Sequence, residues 1–120
     1  MQSLAFAAPL LPGKTEIDRE AMRSCREGER KEAYHASRER RGITRESVWI
    51  QQTPSGDVAV IYLEAEDLQT AMAGLGASPD PFDSWFREHV LEVHGIDLAN
   101  GFPPPEQLID FRREPVTAGA

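Results

Sequence analysis

Two neighbouring segments in the middle of the chain alternate apolar and polar residues with the period of two that is typical of half-buried β-strands. Together they span residues 46–65, and the turn-forming sequence Pro54-Ser-Gly-Asp57 separates them. With Ser55 and Gly56 as the two loop residues, Trp49 lies opposite Tyr62 on the neighbouring strand. The pattern therefore predicts a β-hairpin with a defined register.

The two faces of this hairpin differ in character. The aliphatic face consists of Val48, Ile50, Ala59, Ile61 and Leu63. The mixed face consists of Trp49, Gln51, Val60, Tyr62 and Glu64. Both strands agree on this division, as a correct register requires. We expect helices to cover the aliphatic face, whereas the mixed face is available to a second copy of the chain or to a ligand.

The sequence before the hairpin indicates one strand and one long helix. Residues 3–8 form a short apolar run that ends in a proline, which is typical of a strand near a sheet edge. Thr15 is a good N-cap residue, and Asp18 three positions later approximates a capping box. The helix is predicted to continue to about Arg41 and to end at Gly42, which suits a left-handed C-terminal cap.

The sequence after the hairpin predicts two further helices. Asp67 can cap a short helix whose apolar residues recur at helical spacing. Asp80 followed by Pro81 marks the start of the second helix, because aspartate favours the N-cap and proline favours the first helical position. This helix is predicted to reach His94 and to end at Gly95.

The last part of the chain predicts a crossover, a strand and a tail. Residues 100–105 are rich in glycine and proline and indicate a rigid crossover. Residues 106–113 contain Leu108, Ile109 and Phe111 and predict a final strand. The small and polar residues 115–120 predict a disordered tail.

The predicted order is strand, helix, hairpin, helix pair and strand. This is the βαββαβ arrangement of ferredoxin-like folds, an α+β class in which helices cover one face of an antiparallel sheet. A chain of 120 residues is long enough for one domain with its own hydrophobic core. We therefore expect a single domain over residues 1–114.

Composition narrows the functional classes. The formal net charge of −7 disfavours nucleic acid as a partner, because phosphate contacts need local positive charge. The apolar run near the N-terminus is too short for a signal peptide or a membrane span, so we expect no membrane partner. Cys25 is the only cysteine, which rules out an internal disulfide and fits a cytoplasmic location best. Motifs of nucleotide-binding proteins and of the standard hydrolases do not occur.

Two stretches of the chain resemble the dimeric α+β barrel superfamily. They are Leu4-Ala-Phe-Ala with Leu11-Pro-Gly-Lys14 before a charged helix, and Val58-Ala-Val-Ile-Tyr-Leu-Glu-Ala-Glu-Asp67 before the next helix. The superfamily includes antibiotic-biosynthesis monooxygenase-like domains, haem-degrading monooxygenases, muconolactone isomerases and rhamnose mutarotases. The resemblance implies a homodimer in which two sheets pack face to face.

The resemblance does not extend to a family of known activity. Residues 78–95 look like the matching part of small bacterial proteins of this type that have no assigned activity. Mutarotases carry a catalytic histidine early in the first helix, where this chain has Asp18, Met22 and Arg23. A haem-degrading enzyme would need an axial histidine and a pocket for the haem, and His89 and His94 are possible axial ligands.

His89 is the first candidate for chemistry. It lies within the apolar stripe of the last predicted helix, one turn from Trp85 and from Val93. A buried imidazole needs hydrogen-bond partners, since an unpaired polar group costs about 1–3 kcal/mol. A proton carrier or a metal ligand would explain this position, and a structural histidine with a protein partner is the simpler alternative.

The first helix offers a second candidate group. Its inner azimuth passes through Ile17, Ala21, Cys25 and Gly28 and then reaches Glu32, His35 and Glu39. Glu32 and His35 lie one turn apart and can touch, so they could act together as a general base or hold a metal ion. In the alternative interpretation, the helix extends beyond the sheet and this half of it is solvated and ion-paired.

These observations leave three functions open and do not decide whether the protein is an enzyme. The first is a homodimer that binds a small organic ligand between sheet and helices. The second is a cofactor-independent monooxygenase or isomerase in which His35 or His89 is catalytic. The third is a structural or regulatory interaction module without catalysis. The candidate ligand-binding residues are Glu32, Trp49, Tyr62 and Trp85, and we expect neither a metal nor a cofactor.

Overall fold

The computed structural model describes residues 1–101 and 103–114, which form three strands, four α-helices and one short 3-10 helix. The strands are β1 (Gln2–Pro9), β2 (Ile43–Thr53) and β3 (Gly56–Ala65). The helices are α1 (Thr15–Arg26), α2 (Lys31–Arg40), α3 (Leu68–Ala77) and α4 (Pro81–His94), and the 3-10 helix spans Leu98–Asn100. The predicted tail and residue 102 of the predicted crossover lie outside the described residues.

The three strands form one antiparallel sheet in the order β1-β3-β2. The strand β3 therefore lies in the centre and pairs with both neighbours. Its inward residues Ala59, Leu63 and Ala65 are buried under the helical layer, whereas outward residues such as Trp49 on β2 are exposed. The predicted α+β class, with an antiparallel sheet and helices, is confirmed at this level.

The hairpin forms as predicted, but its register differs. Trp49 lies opposite Val60 rather than Tyr62, and Thr53 pairs directly with Gly56, which leaves two residues in the loop. Gly56 has a φ of 125°, which a residue with a side chain rarely adopts, so glycine allows β3 to begin directly after the turn. The register differs by two residues along one strand, and every side chain therefore keeps its predicted face.

The prediction of one continuous helix as far as Arg41 is wrong, because the helix breaks between α1 and α2. The backbone N–H groups of Gly28 and Arg30 both donate to the carbonyl oxygen of Ser24, at 3.2 and 3.0 Å. Glycine favours such a break because it costs about 1 kcal/mol relative to alanine inside a helix.

The break also changes which side of α2 faces the interior. Ser37 and Arg38 are buried, whereas Glu32, His35 and Glu39 are exposed. The inner face that was predicted for one long helix therefore ends with α1 and does not continue into α2. The inner face of α2 is polar, and its partners are described below.

Most of the predicted helix ends are confirmed. The Asp67 carboxylate accepts from the backbone N–H of Thr70 at 3.1 Å, and that of Asp80 accepts from Phe82 at 3.0 Å. Gly42 and Gly95 follow α2 and α4 with φ of 68° and 72°, in the left-handed region where glycine is favoured.

The predicted capping box at the start of α1 is wrong. Lys14 occupies the N-cap position, and the hydroxyl of Thr15 donates instead to the Asp57 carboxylate at 2.7 Å. Asp18 points into the interior, where it meets His89. Both side chains therefore connect α1 to other elements rather than to its own backbone.

The predicted fourth strand is also absent, since residues 103–114 contain no strand and the βαββαβ order is incomplete. The side chains of Leu108, Ile109 and Phe111 are 83–85% exposed. An apolar run forms a strand only where it meets a sheet edge, and this segment meets none within the described chain. The radius of gyration of 16.0 Å exceeds the value of about 14 Å expected for a compact domain of this length.

Small side chains face each other between the sheet and α1. Ala8 and Ala59 line the sheet, and Ala21 and Cys25 line the helix, and all four are buried. Such short side chains cannot fill the space between two layers of secondary structure. The helix α1 makes its main contacts with α2 and α4, and a gap remains between α1 and the sheet.

Asp83 on α4 is fully buried, with 0% exposure, and it connects α4 to α2. It accepts a hydrogen bond from the Ser37 hydroxyl and another, at 2.9 Å, from the Arg41 guanidinium. Burial alone would raise the pKa of Asp83, but hydrogen bonds from Ser37, Ser78 and Arg41 outweigh it and lower the pKa to about 2.

We expect Asp83→Asn to destabilise the fold in a pH-dependent way. Because the folded-state pKa lies below the unfolded value, the charged carboxylate stabilises the fold above about pH 4 and loses this effect as the pH falls towards 2. The shift corresponds to about 2 kcal/mol, which urea unfolding of both proteins across this pH range would measure. The control is Asp110→Asn, which removes an exposed aspartate paired with Arg112. If the stability difference between wild type and Asp83→Asn stays constant down to pH 2, the stabilising role of the charged Asp83 carboxylate is contradicted.

Candidate functional site

A cavity of about 640 Å³ lies between the inner face of the sheet and the helices and opens to solvent. Its volume falls within the range of roughly 300–1,000 Å³ that is typical of small-molecule sites. Its apolar wall includes Phe6, Met22, Ile61, Leu63, Phe86 and Val90. The cavity occupies the gap left by the alanine residues of the sheet and the small residues of α1.

Asp18 on α1 and His89 on α4 form a buried pair at the cavity wall. The imidazole Nε2 donates to the carboxylate Oδ1 at 2.8 Å, and the two side chains are about 95% buried. The second carboxylate oxygen, Asp18 Oδ2, is buried without a hydrogen-bond partner in the described chain. The cavity wall therefore contains an oriented histidine and a carboxylate with unused acceptor capacity.

Trp85 supports the His89 ring from the helix turn before it. The two rings stack with centroids 5.5 Å apart and planes inclined by 14°. The Arg30 guanidinium lies 4.0 Å from the centre of the Trp85 ring, within the range of a cation–π contact. These contacts restrict the rotation of the imidazole, so its position at the cavity wall is fixed from two sides.

A second polar group at the cavity wall joins α2 to β2. Glu46 Oε1 accepts from the Tyr34 hydroxyl at 2.5 Å and from Arg38 Nε at 2.8 Å. The Arg38 guanidinium lies 4.5 Å from the centre of the Phe86 ring, on the apolar side of the cavity. Burial and the neighbouring negative charge of Glu46 raise the pKa of Tyr34, so the phenol stays protonated. The charges of Arg38 and Glu46 are paired, and a paired charge is less costly to bury at the cavity wall than a single one.

Cys25 also borders the cavity, where it is buried. Burial raises the pKa of the Cys25 thiol, with smaller opposing effects from Ser24 and nearby arginines. The thiol form is a weak nucleophile, because thiol chemistry requires the thiolate. This environment agrees with the structural role that a lone cysteine on the inner face of the helix suggests.

The residues singled out from the sequence occupy three different places. His89 lies at the cavity wall, and His35 lies at the cavity margin on the exposed side of α2. Glu32 is exposed and lies with His35 in a shallow surface depression outside the cavity. Trp49 and Tyr62 lie on the outer face of the sheet, and the Tyr62 hydroxyl donates there to Glu64 at 2.7 Å. Trp85 stacks against the ring of His89.

Sequence reasoning missed the polar partners in the cavity wall, which are Asp18, Tyr34, Arg38 and Glu46. For Asp18 a signal was present, because it lies three and seven positions before Ala21 and Cys25 and therefore on the same buried stripe. Tyr34, Arg38 and Glu46 had no such signal. The break between α1 and α2 changes the side of the helix on which Tyr34 and Arg38 lie. Their pairing with Glu46 depends on how α2 packs against β2.

The described residues contain no group of three or more histidine, cysteine, aspartate or glutamate side chains close enough to share a metal ion. No helix in the same ranges has both the length and the apolar character needed to cross a membrane. The polar groups that the Asp18–His89 pair places at the apolar cavity are an imidazole and a carboxylate, both of which can form hydrogen bonds.

Comparisons of the chain with models of known protein families, with curated proteins and with solved structures found no match. The architecture supports a small α+β domain with a three-stranded antiparallel sheet and four helices. Membership in the dimeric α+β barrel superfamily stays a prediction.

Proposed function

We propose that the protein binds a small, mainly apolar organic molecule in the cavity between the sheet and the helices. The observation that carries this proposal is the cavity itself, because about 640 Å³ of space is lined mostly by apolar side chains. Transfer of apolar ligand surface from water into such a space contributes roughly 25 cal/mol per Å². The buried polar pairs at the wall would orient the ligand.

The same cavity argues against a module that acts only through its outer surface. A domain of that kind gains stability by filling its interior, since each unfilled volume removes packing contacts. Here the small residues Ala8, Ala59 and Cys25 line the cavity and leave the space open. A ligand would supply the missing contacts and stabilise the folded state by mass action.

A second candidate is a cofactor-independent isomerase or monooxygenase that removes a proton from its ligand. The observation in its favour is the Asp18–His89 pair, because a carboxylate that fixes one imidazole nitrogen leaves the other available as a base. With Nε2 donating to Asp18, the basic nitrogen is Nδ1. A ligand with an acidic C–H bond would be its substrate.

We further propose that two copies of the chain associate through the outer face of the sheet. Trp49 is 55% exposed on this face, next to Val60 on β3 and in the same row as Ala7 on β1. Arg45 and Glu64 pair across the strands of the same face, 3.9 Å apart. A face that carries both an exposed aromatic residue and charges of both signs is complementary to itself in a two-fold dimer.

For the binding proposal, we expect the neutral fluorescent probe N-phenyl-1-naphthylamine to bind wild type at one site per chain. Val90→Trp, which fills the cavity, should weaken this binding at least tenfold. The matched control is Leu91→Trp, because Leu91 is the next residue of α4 and half-exposed on its outer side. Binding would be followed by probe fluorescence, with excitation outside the tryptophan band. Failure of wild type to bind this probe or comparable neutral probes, or equal binding by both variants, would contradict the proposal.

For the catalytic candidate, we expect wild type to accelerate exchange of the methyl protons of 2-acetylnaphthalene with deuterium from heavy water. His89→Gln should abolish the acceleration because glutamine cannot accept the proton, whereas the exposed control Glu88→Gln should retain it. Proton NMR measures the exchange directly. If ketones shown to bind in the cavity exchange no faster with wild type than in buffer, catalysis of this kind is excluded.

For the association proposal, we expect light scattering at micromolar concentration to give the mass of a dimer for wild type. Trp49→Glu replaces the exposed aromatic residue of the face by a charge and should give monomers. Leu91→Glu, which adds the same charge on the outer side of α4, should stay dimeric. A monomeric wild type would disprove association through the outer face of the sheet.

A further inference from the structure

Among the described residues, Asp18 is the one acid at the cavity wall with a buried oxygen that has no hydrogen-bond donor. Two buried side-chain atoms of the described residues lack a hydrogen-bond partner, Asp18 Oδ2 and Arg41 Nε, and of these two residues only Asp18 borders the cavity. The carboxylate of Glu46, by comparison, already accepts from Tyr34 and Arg38. A buried acceptor without a donor costs about 1–3 kcal/mol, so a donor at this position would be strongly favoured.

We propose that Asp18 is the specificity-determining residue of the cavity and accepts a hydrogen bond from a hydroxyl or N–H group of the ligand. This inference rests on the proposed function, and it adds the ligand class. The ligand has an apolar body and one donor group, as in a phenol, an alcohol or a secondary amine. Anionic ligands such as carboxylates are disfavoured, because they would bring a second negative charge next to Asp18.

The geometry around Asp18 permits this contact. Oδ1 is held by the His89 ring at 2.8 Å, and that ring is held by Trp85. Asp18 borders the cavity, and the terminal torsion of an aspartate side chain is soft, so the free oxygen can adjust to a donor there. The side chain itself is only 4% exposed, so water competes weakly for the contact.

The position of Asp18 in the fold also gives the ligand an orientation. The Thr15 hydroxyl bonds to Asp57 next to the first residue of β3, and Asp18 lies one turn further along α1, so the start of this helix is anchored at the start of that strand. Glu46 lies opposite Leu63 in the second half of β3. The donor group of the ligand therefore binds at the Asp18 end, and its apolar body extends along β3 towards Phe86 and Leu63.

Three naphthalene compounds of similar size test this inference, and calorimetric titration measures their affinities. They are 2-naphthol as the donor, 2-methoxynaphthalene as an acceptor only, and 2-methylnaphthalene without a polar group. For wild type we expect 2-naphthol to bind roughly 10-fold to 100-fold more tightly than the other two, as a hydrogen bond to a charged group predicts.

Asp18→Asn should reverse this preference. His89 would continue to donate to the side-chain carbonyl, and the new amide group would present N–H donors to the cavity. The affinity of 2-naphthol should fall at least tenfold, that of 2-methoxynaphthalene should rise, and that of 2-methylnaphthalene should change less than threefold. Glu88→Gln removes an exposed negative charge next to His89 and is the control for general electrostatic effects.

The outcomes separate this inference from the proposed function. If wild type binds none of the three compounds or other neutral aromatic probes, the proposed cavity function fails. If wild type binds 2-methylnaphthalene as tightly as 2-naphthol, the cavity function stands and the role of Asp18 is overturned. This comparison needs only wild type, so it holds even if Asp18→Asn does not fold. Equal losses for all three compounds in a folded Asp18→Asn variant would also overturn it.

Discussion

Buried polar pairs hold the helical layer together where apolar contacts are few. Asp18 and His89 join α1 to α4, and Asp83 with Arg41 joins α4 to α2. The Arg38–Glu46 pair then joins α2 to β2. Without these connections, α1 would have little to hold it above the sheet, because a gap separates the two. The open cavity therefore depends on polar contacts at its edges.

This arrangement has an energetic consequence. Buried charges lose their hydration, and a pair recovers that cost only when its geometry is good and its remaining atoms are satisfied. The Asp83 carboxylate meets this condition, since both of its oxygens have donors. Asp18 meets it only in part, because one of its oxygens has none. The Asp18–His89 and Asp83–Arg41 pairs thus each retain one buried atom without a partner, Asp18 Oδ2 and Arg41 Nε, and of these two residues only Asp18 borders the cavity.

The sheet and the C-terminal segment leave two further surfaces without partners in the described chain. The outer face of the sheet exposes Trp49, and the segment with Leu108 and Phe111 exposes large apolar side chains. Single exposed apolar residues are normal, but several large exposed apolar side chains close together are typical of contact surfaces.

The sequence by itself determined the parts of the structure that depend on near neighbours in the chain. The caps at Asp67 and Asp80, the glycines that end α2 and α4, and the division of the hairpin into two faces follow from local conformational preferences and from the period of two. The burial of His89 also followed from the stripe on its own helix. For these features the determining atoms lie within a few residues of each other.

Only the tertiary structure decided the break after α1, the missing fourth strand and the composition of the candidate site. An apolar run such as the one around Ile109 becomes a strand only if a free edge meets it, and the sequence pattern does not show where edges are. Likewise, Asp18 meets His89 across 71 positions of sequence, through the packing of α1 on α4. Periodicity indicates which face of an element is buried, but only packing decides which side chain it meets there.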